Sequence, residues 1–118
     1  MFENLLVGKR GESLALKYLK KVGYRIVVTN YKNRVGEIDL VAKDGEVLVF
    51  VEVKTRRNDS FGEPFEAVGY RKKKKIMDTA TCYLKELHEL PPVRFDVISV
   101  TLDGGKSEIL HLKDVFEL

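Results

Sequence analysis

Val47-Leu48-Val49-Phe50-Val51 is an apolar run built to be buried, and Glu52 and Lys54 continue it without a break. Just upstream, Gly36-Glu37-Ile38-Asp39-Leu40 sets two carboxylates into a second strand-like run. Charges are rarely buried unless they are paired or bind a metal. Any fold that covers these strands must therefore supply partners for the charges. A cluster of carboxylates beside a lysine suits a divalent metal next to a phosphodiester.

A chain of 118 residues has room for one domain around one hydrophobic core. Its hydrophobic share of 44% and charged share of 33% describe a globular protein. One cysteine, Cys82, permits no intramolecular disulfide and fits a reducing compartment. The start, Met1-Phe2-Glu3-Asn4, lacks the basic region and apolar core of a signal peptide, and no apolar run is long enough to span a membrane. A cytoplasmic location without membrane contact is expected. The formal net charge of +3 says little, because 21 basic residues face 18 acidic ones. Their distribution says more: Arg71 to Lys75 is unbroken basic sequence, and Arg56-Arg57 follows Lys54 closely.

The periodicity predicts a helix over about residues 3–22, with Ala15, Leu16 and Leu19 as its apolar stripe and Gly23 as its stop. Strands are expected over 24–31, 35–42 and 47–54, with Asp44-Gly45 as the hairpin turn between the last two. A polar loop over 55–63 leads to Pro64, which can open a second helix running to about Glu89. Ile76, Ala80, Tyr83, Leu84 and Leu87 mark its inner face, and Pro91-Pro92 ends it. Strands over 94–102 and 107–112 complete the order α-β-β-β-α-β-β, a mixed sheet with helices packed on it.

Alternation places Glu37, Asp39 and Val41 on one face of their strand, and Leu48, Phe50, Glu52 and Lys54 on one face of the next. A two-residue turn at Asp44-Gly45 pairs Asp39 with Phe50 and Glu37 with Glu52. Asp39 is then diagonal to Glu52, roughly 7–8 Å away. A four-residue loop would set the two opposite each other, and a three-residue loop would send them to different faces. Glu12 lies about 20° from Leu19 and about 40° from Leu16 on the helical wheel, so it faces the sheet. Gly8 and Gly11 beside it leave room for close approach. Lys72 shares a face with Ile76, Tyr83 and Leu87, whereas Lys73 and Lys74 are rotated away.

These positions assemble into a chemistry. Asp39 and Glu52, with the backbone carbonyl of Val53, would ligate Mg²⁺ or Mn²⁺. Lys54 would position or activate the attacking water and stabilise charge on the phosphate. The ion supplies Lewis acidity and lowers the pKa of water. Glu12 would hold a second ion through water.

A carboxylate on a first helix, then Asp, then Glu-x-Lys resembles the PD-(D/E)-x-K nuclease pattern, read here as Glu12, Asp39, Glu52 and Lys54. The spacing is similar to that of archaeal Holliday-junction resolvases. A closer resemblance is to the YraN-like family of small bacterial proteins. It is carried by Gly11-Glu12, Gly36 to Leu40, Val49 to Lys54, Phe61-Gly62 and Arg94-Phe95-Asp96-Val97. Ile38 stands where the broader pattern has proline. The resemblance spans nearly the whole chain. It implies one restriction-endonuclease-like domain over residues 1–118, with a mixed central sheet flanked by helices. The function it implies is a metal-dependent endonuclease acting on DNA, on branched or single-stranded intermediates.

Blander readings stand beside this one. Glu52 with Lys54 or Asp39 would also make a buried structural ion pair. The basic run would also make a solvated helix face. Arg56, Arg57, Lys72 and Lys75 are the candidate phosphate contacts. Glu37 reads as a supporting residue, and Arg94 with Asp96 as a structural pair at a strand edge. His88 and His111 stand alone in the sequence and read as structural or surface residues, and Cys82 has no histidine nearby to activate it. A non-catalytic nucleic-acid-binding module working with a partner enzyme is the alternative function. A symmetric homodimer would suit a two-stranded substrate.

Overall fold

The computed structural model describes residues 2–58 and 69–116, with side chains from Leu5 onward in the first helix. The elements are α1 (Phe2–Lys21), β1 (Arg25–Lys32), β2 (Glu37–Asp44), β3 (Val47–Arg57), α2 (Tyr70–Leu84), β4 (Val93–Asp103) and β5 (Lys106–Leu112). Their order is the expected one. α2 opens at Tyr70, after an extended Gly69 (φ −79°, ψ 176°), and not at Pro64 as expected; Pro64 itself and Phe61-Gly62 lie outside the described residues.

One five-stranded sheet runs β1-β2-β3-β4-β5. The β3–β4 pair is parallel and the other neighbours are antiparallel. Parallel strands need a long crossover, and α2 lies within it. α1 covers one face, packing Ala15 and Leu19 with Leu40, Ala42, Val49, Val51 and Ile98. α2 covers the other, packing Ile76, Ala80 and Leu84 with Ile38, Val41, Leu48, Phe50 and Phe95. Double cover explains why β3 is apolar without alternation from Leu48 to Val51.

α1 ends as Gly23 predicts. Gly23 has φ 99°, its N–H bonds to the Lys20 carbonyl, and the Tyr24 N–H reaches the Leu19 carbonyl at 2.9 Å. Those paired bonds, with Leu19 and Tyr24 packed in one cluster, form a Schellman stop.

Further boundaries differ from expectation. The β2–β3 turn residues are Gly45 and Glu46, flanked by the pair Asp44 and Val47, with Gly45 at φ 61°. Moving a turn by one residue shifts pairing by two, so the faces are preserved. β3 runs on through Thr55, Arg56 and Arg57, expected in a loop, because β4 pairs with them at Val100, Thr101 and Leu102. α2 stops at Leu84 instead of about Glu89. Its last apolar contact is made there, and the Glu86 and Leu87 N–H groups then close tighter turns onto Tyr83 and Leu84. No helix among the described residues is long and apolar enough to cross a membrane.

Candidate active site

The ladder between β2 and β3 ends at Leu40 and Val51. One step further in that register, Asp39 stands opposite Glu52. There a side chain takes over from the ladder: Asp39 Oδ2 accepts the Val53 N–H at 2.8 Å. The alternation of β2 breaks at the same point. Ile38 and Val41, three residues apart, both pack in the layer against α2. The strands open here, and the opening is one wall of a cleft of about 360 Å³.

Asp39, Glu52, Val53, Lys54 and Thr55 line this cleft from the sheet, Glu12 lines it from α1 and Lys72 from α2. α1 lies close because Gly11 has no side chain: a Cβ there would sit 1.7 Å from Thr55 Oγ1. Gly8 has a different role from the one expected. A Cβ on it would meet nothing within 4 Å, and the residue lines the cleft instead.

The charges in the cleft are coupled. Glu52 is 7% exposed. Its Oε1 lies 2.7 Å from Lys72 Nζ and 3.7 Å from Lys54 Nζ. Burial, and then the charge of Glu52, push the Asp39 carboxyl up to about 7, against the pull of the Val53 N–H. Burial and the neighbouring Lys72 hold the Lys54 ammonium below its ordinary range. Burial alone would lower Lys72 as well, but its bond to Glu52 raises it.

Other expected residues lie elsewhere. Glu37 is on the surface, 3.2 Å from Lys32 Nζ, and does not line the cleft. The broken alternation at Asp39 removes it from the face shared with Glu52. Lys75 is exposed, and its stem packs near Gly36. Lys73 lies over the Phe116 ring and Lys74 pairs with Asp78. As β3 residues, Arg56 and Arg57 point to opposite faces. Arg57 lines a neighbouring groove with Val7, Arg10, Asn58 and Leu102. Arg56 is half-buried on the Glu52 and Lys54 side.

His111 is structural, but it does not stand alone: it belongs to a second polar cluster. His111 Nε2 and Asp96 Oδ2 are 2.7 Å apart, and Tyr18 Oη lies 3.0 Å from His111 Nδ1. Arg94 donates to both Asp96 oxygens, to Asp44 and to Tyr24. The Arg94–Asp96 pair is structural, as expected, but it sits on an interior strand and not at an edge. Burial alone would raise Asp96, yet the bonds from His111 and Arg94 hold its carboxyl down at about 2. The sequence separations of 93 and 15 residues for His111's two bonds hide this cluster from local reading.

Residues 11–100 match the family described as Uncharacterised protein family UPF0102. The chain belongs to this family. A UPF0102 protein of Syntrophus aciditrophicus (strain SB) is 45% identical over 119 residues, spanning 100% of this chain and 94% of that protein. A UPF0102 protein of Syntrophomonas wolfei subsp. wolfei is 45% identical over 114 residues, spanning 96% and 99%. One from Geobacter metallireducens is 44% identical over 116 residues, spanning 98% and 95%. Glu12, Asp39, Glu52, Lys54 and Lys72 all fall within the UPF0102 match.

Proposed function

We propose that this UPF0102 chain is a metal-dependent nuclease that hydrolyses DNA phosphodiesters, on a restriction-endonuclease-like fold and in the cytoplasm. The observation that carries the reading is the convergence of Glu12, Asp39, Glu52, Lys54 and Lys72 on one cleft from three different parts of the fold.

The donor set suits a hard divalent ion. Asp39 and Glu52 are adjacent carboxylates: burial, and then repulsion from Glu52, push the Asp39 carboxyl up to about 7, and a cation would relieve the repulsion. Among the described residues no three His, Cys, Asp or Glu side chains are grouped so that together they could hold a metal ion. Mg²⁺ does not need three, since it takes one or two carboxylates together with water and substrate phosphate. Asp39 and Glu52, with Val53, would hold Mg²⁺ or Mn²⁺, and Glu12 would support it through water. The ion would supply Lewis acidity at the phosphoryl oxygen and lower the pKa of water.

The protein's own groups do the rest. The Val53 N–H fixes the Asp39 carboxylate. Lys54, with its depressed ammonium, is suited to orient the attacking water and exchange a proton at Nζ. Lys72 offers its charge to a phosphate oxygen, and Arg57 with Arg10 extends positive charge into the adjoining groove.

The test is a cleavage assay with Mn²⁺ or Mg²⁺ on nicked, branched and single-stranded DNA. Wild type should cut at least one of them. Asp39→Asn and Glu52→Gln should lose cleavage by roughly a hundredfold or more while still binding DNA, since both remove metal ligands. Binding that ignores both metal and carboxylate substitutions would refute the nuclease and leave a non-catalytic binding module.

A further inference from the structure

Glu52 faces two ammonium groups that differ in how they are held. Lys54 reaches it from the same strand at 3.7 Å, with 23% of its side chain exposed. Lys72 reaches it from the first turn of α2 at 2.7 Å, with 42% of its side chain exposed. Both contacts fall on Oε1. Lys72 therefore makes the closer contact from the more solvated position. A lysine stem has four rotatable bonds and re-aims at small cost when another anion is within reach.

A dication and two ammonium groups compete for the same few carboxylate oxygens in this cleft. The geometry points to Lys72 as an internal counter-ion of Glu52, which opposes a divalent ion there until a phosphate oxygen of nucleic acid draws the ammonium away. The inference rests on the metal-dependent reading above and adds a regulation to it. Substrate and metal each remove an obstacle to the other, so they bind with positive coupling. The hydrolytic centre is then armed when nucleic acid is in place, and free Mg²⁺ alone arms it poorly. A lysine that served only as a phosphate contact would not oppose metal binding. That difference makes the role testable.

Calorimetric titration of Mn²⁺ into the full chain would compare wild type with Lys72→Met, Lys72→Arg and Glu52→Gln. Each would be titrated alone and with a short phosphorothioate DNA duplex. Lys72→Met keeps an apolar stem and loses the charge. Without DNA it should bind Mn²⁺ at least about tenfold tighter than wild type, because a unit charge about 4 Å from a dication costs more than one decade of affinity even at the dielectric of water. Lys72→Arg should stay near wild type. With the duplex present, wild type should approach Lys72→Met. The counter-ion role is overturned if Glu52→Gln abolishes Mn²⁺ binding while Lys72→Met binds no tighter than wild type; the metal site would then stand without it. It is also overturned if Lys72→Arg binds as tightly as Lys72→Met. Absence of Mn²⁺ binding in every protein, with duplex and without, overturns the metal reading and this inference together.

Discussion

Replacing Gly11 by alanine should destabilise the protein although alanine is the better helix former. The nearest atom to an added Cβ is Thr55 Oγ1 at 1.7 Å, half of the 3.4 Å at which ordinary contact begins. Rotating the threonine does not solve this, because its own Cβ lies 2.6 Å away. α1 must therefore retreat from β3. Overpacking of this kind costs about 3 kcal/mol at its upper range. Helix propensity returns about 1 kcal/mol, leaving a net loss of about 2 kcal/mol. For a domain of this size that lowers Tm by about 8 °C. Urea denaturation followed by circular dichroism measures the loss, with an unchanged m-value separating stability from altered compactness. Thr55→Ala in the Gly11→Ala background removes Oγ1 and Cγ2 and should recover part of it. A Gly11→Ala protein that melts at or above wild type would refute the close α1–β3 contact. Glu12 would then owe its place at the cleft to something other than that contact.

The buried Asp96 cluster should govern acid stability. Its carboxyl is near 2 in the fold against 3.8 without partners, so the folded form binds fewer protons between those values. The stability it contributes is complete above pH 3.8 and is lost as pH falls towards 2. Acid titration of the melting temperature should show a slope there that Asp96→Asn flattens. At neutral pH the same variant should lose about 3–5 kcal/mol, because Arg94 and His111 are left buried without their carboxylate. Glu37→Ala should leave Mn²⁺ binding and cleavage at wild-type levels, since Glu37 pairs with Lys32 on the surface; a loss in either assay would return Glu37 to the cleft.

Helical phase carried the site reading furthest. Glu12 and Lys72 were placed by their rotation relative to Leu16 and Ile76, and both line the cleft. A helix turns regularly, so phase holds over several turns. Strand phase did not hold as well. Asp39 bonds to the Val53 amide in place of a ladder partner, and alternation fails there, so Glu37 leaves the face that strand phase assigns it. The Asp-Gly signal marks the hairpin, and the turn lies one residue further on, which leaves the faces unchanged. Arg56 and Arg57 read as loop because their polarity concealed a strand whose pairing comes from β4, more than forty residues further on. His111 is structural, one of the two roles expected for it, but its partners Tyr18 and Asp96 are not marked by anything near it in sequence.

The single parallel seam has a consequence for folding order. β1, β2 and β3 are joined by short connections, and so are β4 and β5. Each group can zip up locally with little loop entropy to overcome. Only the β3–β4 junction requires closure of the long segment containing α2, so it is the slow contact to make. Glu52 and Lys54 lie on the strand at that junction, and Lys72 lies in the segment that closes it. Until the two halves dock, Glu52 lacks its contact with Lys72, which comes from that segment. The Glu52–Lys72 pair, and with it the full lining of the cleft, is thus complete only once the segment holding α2 has docked.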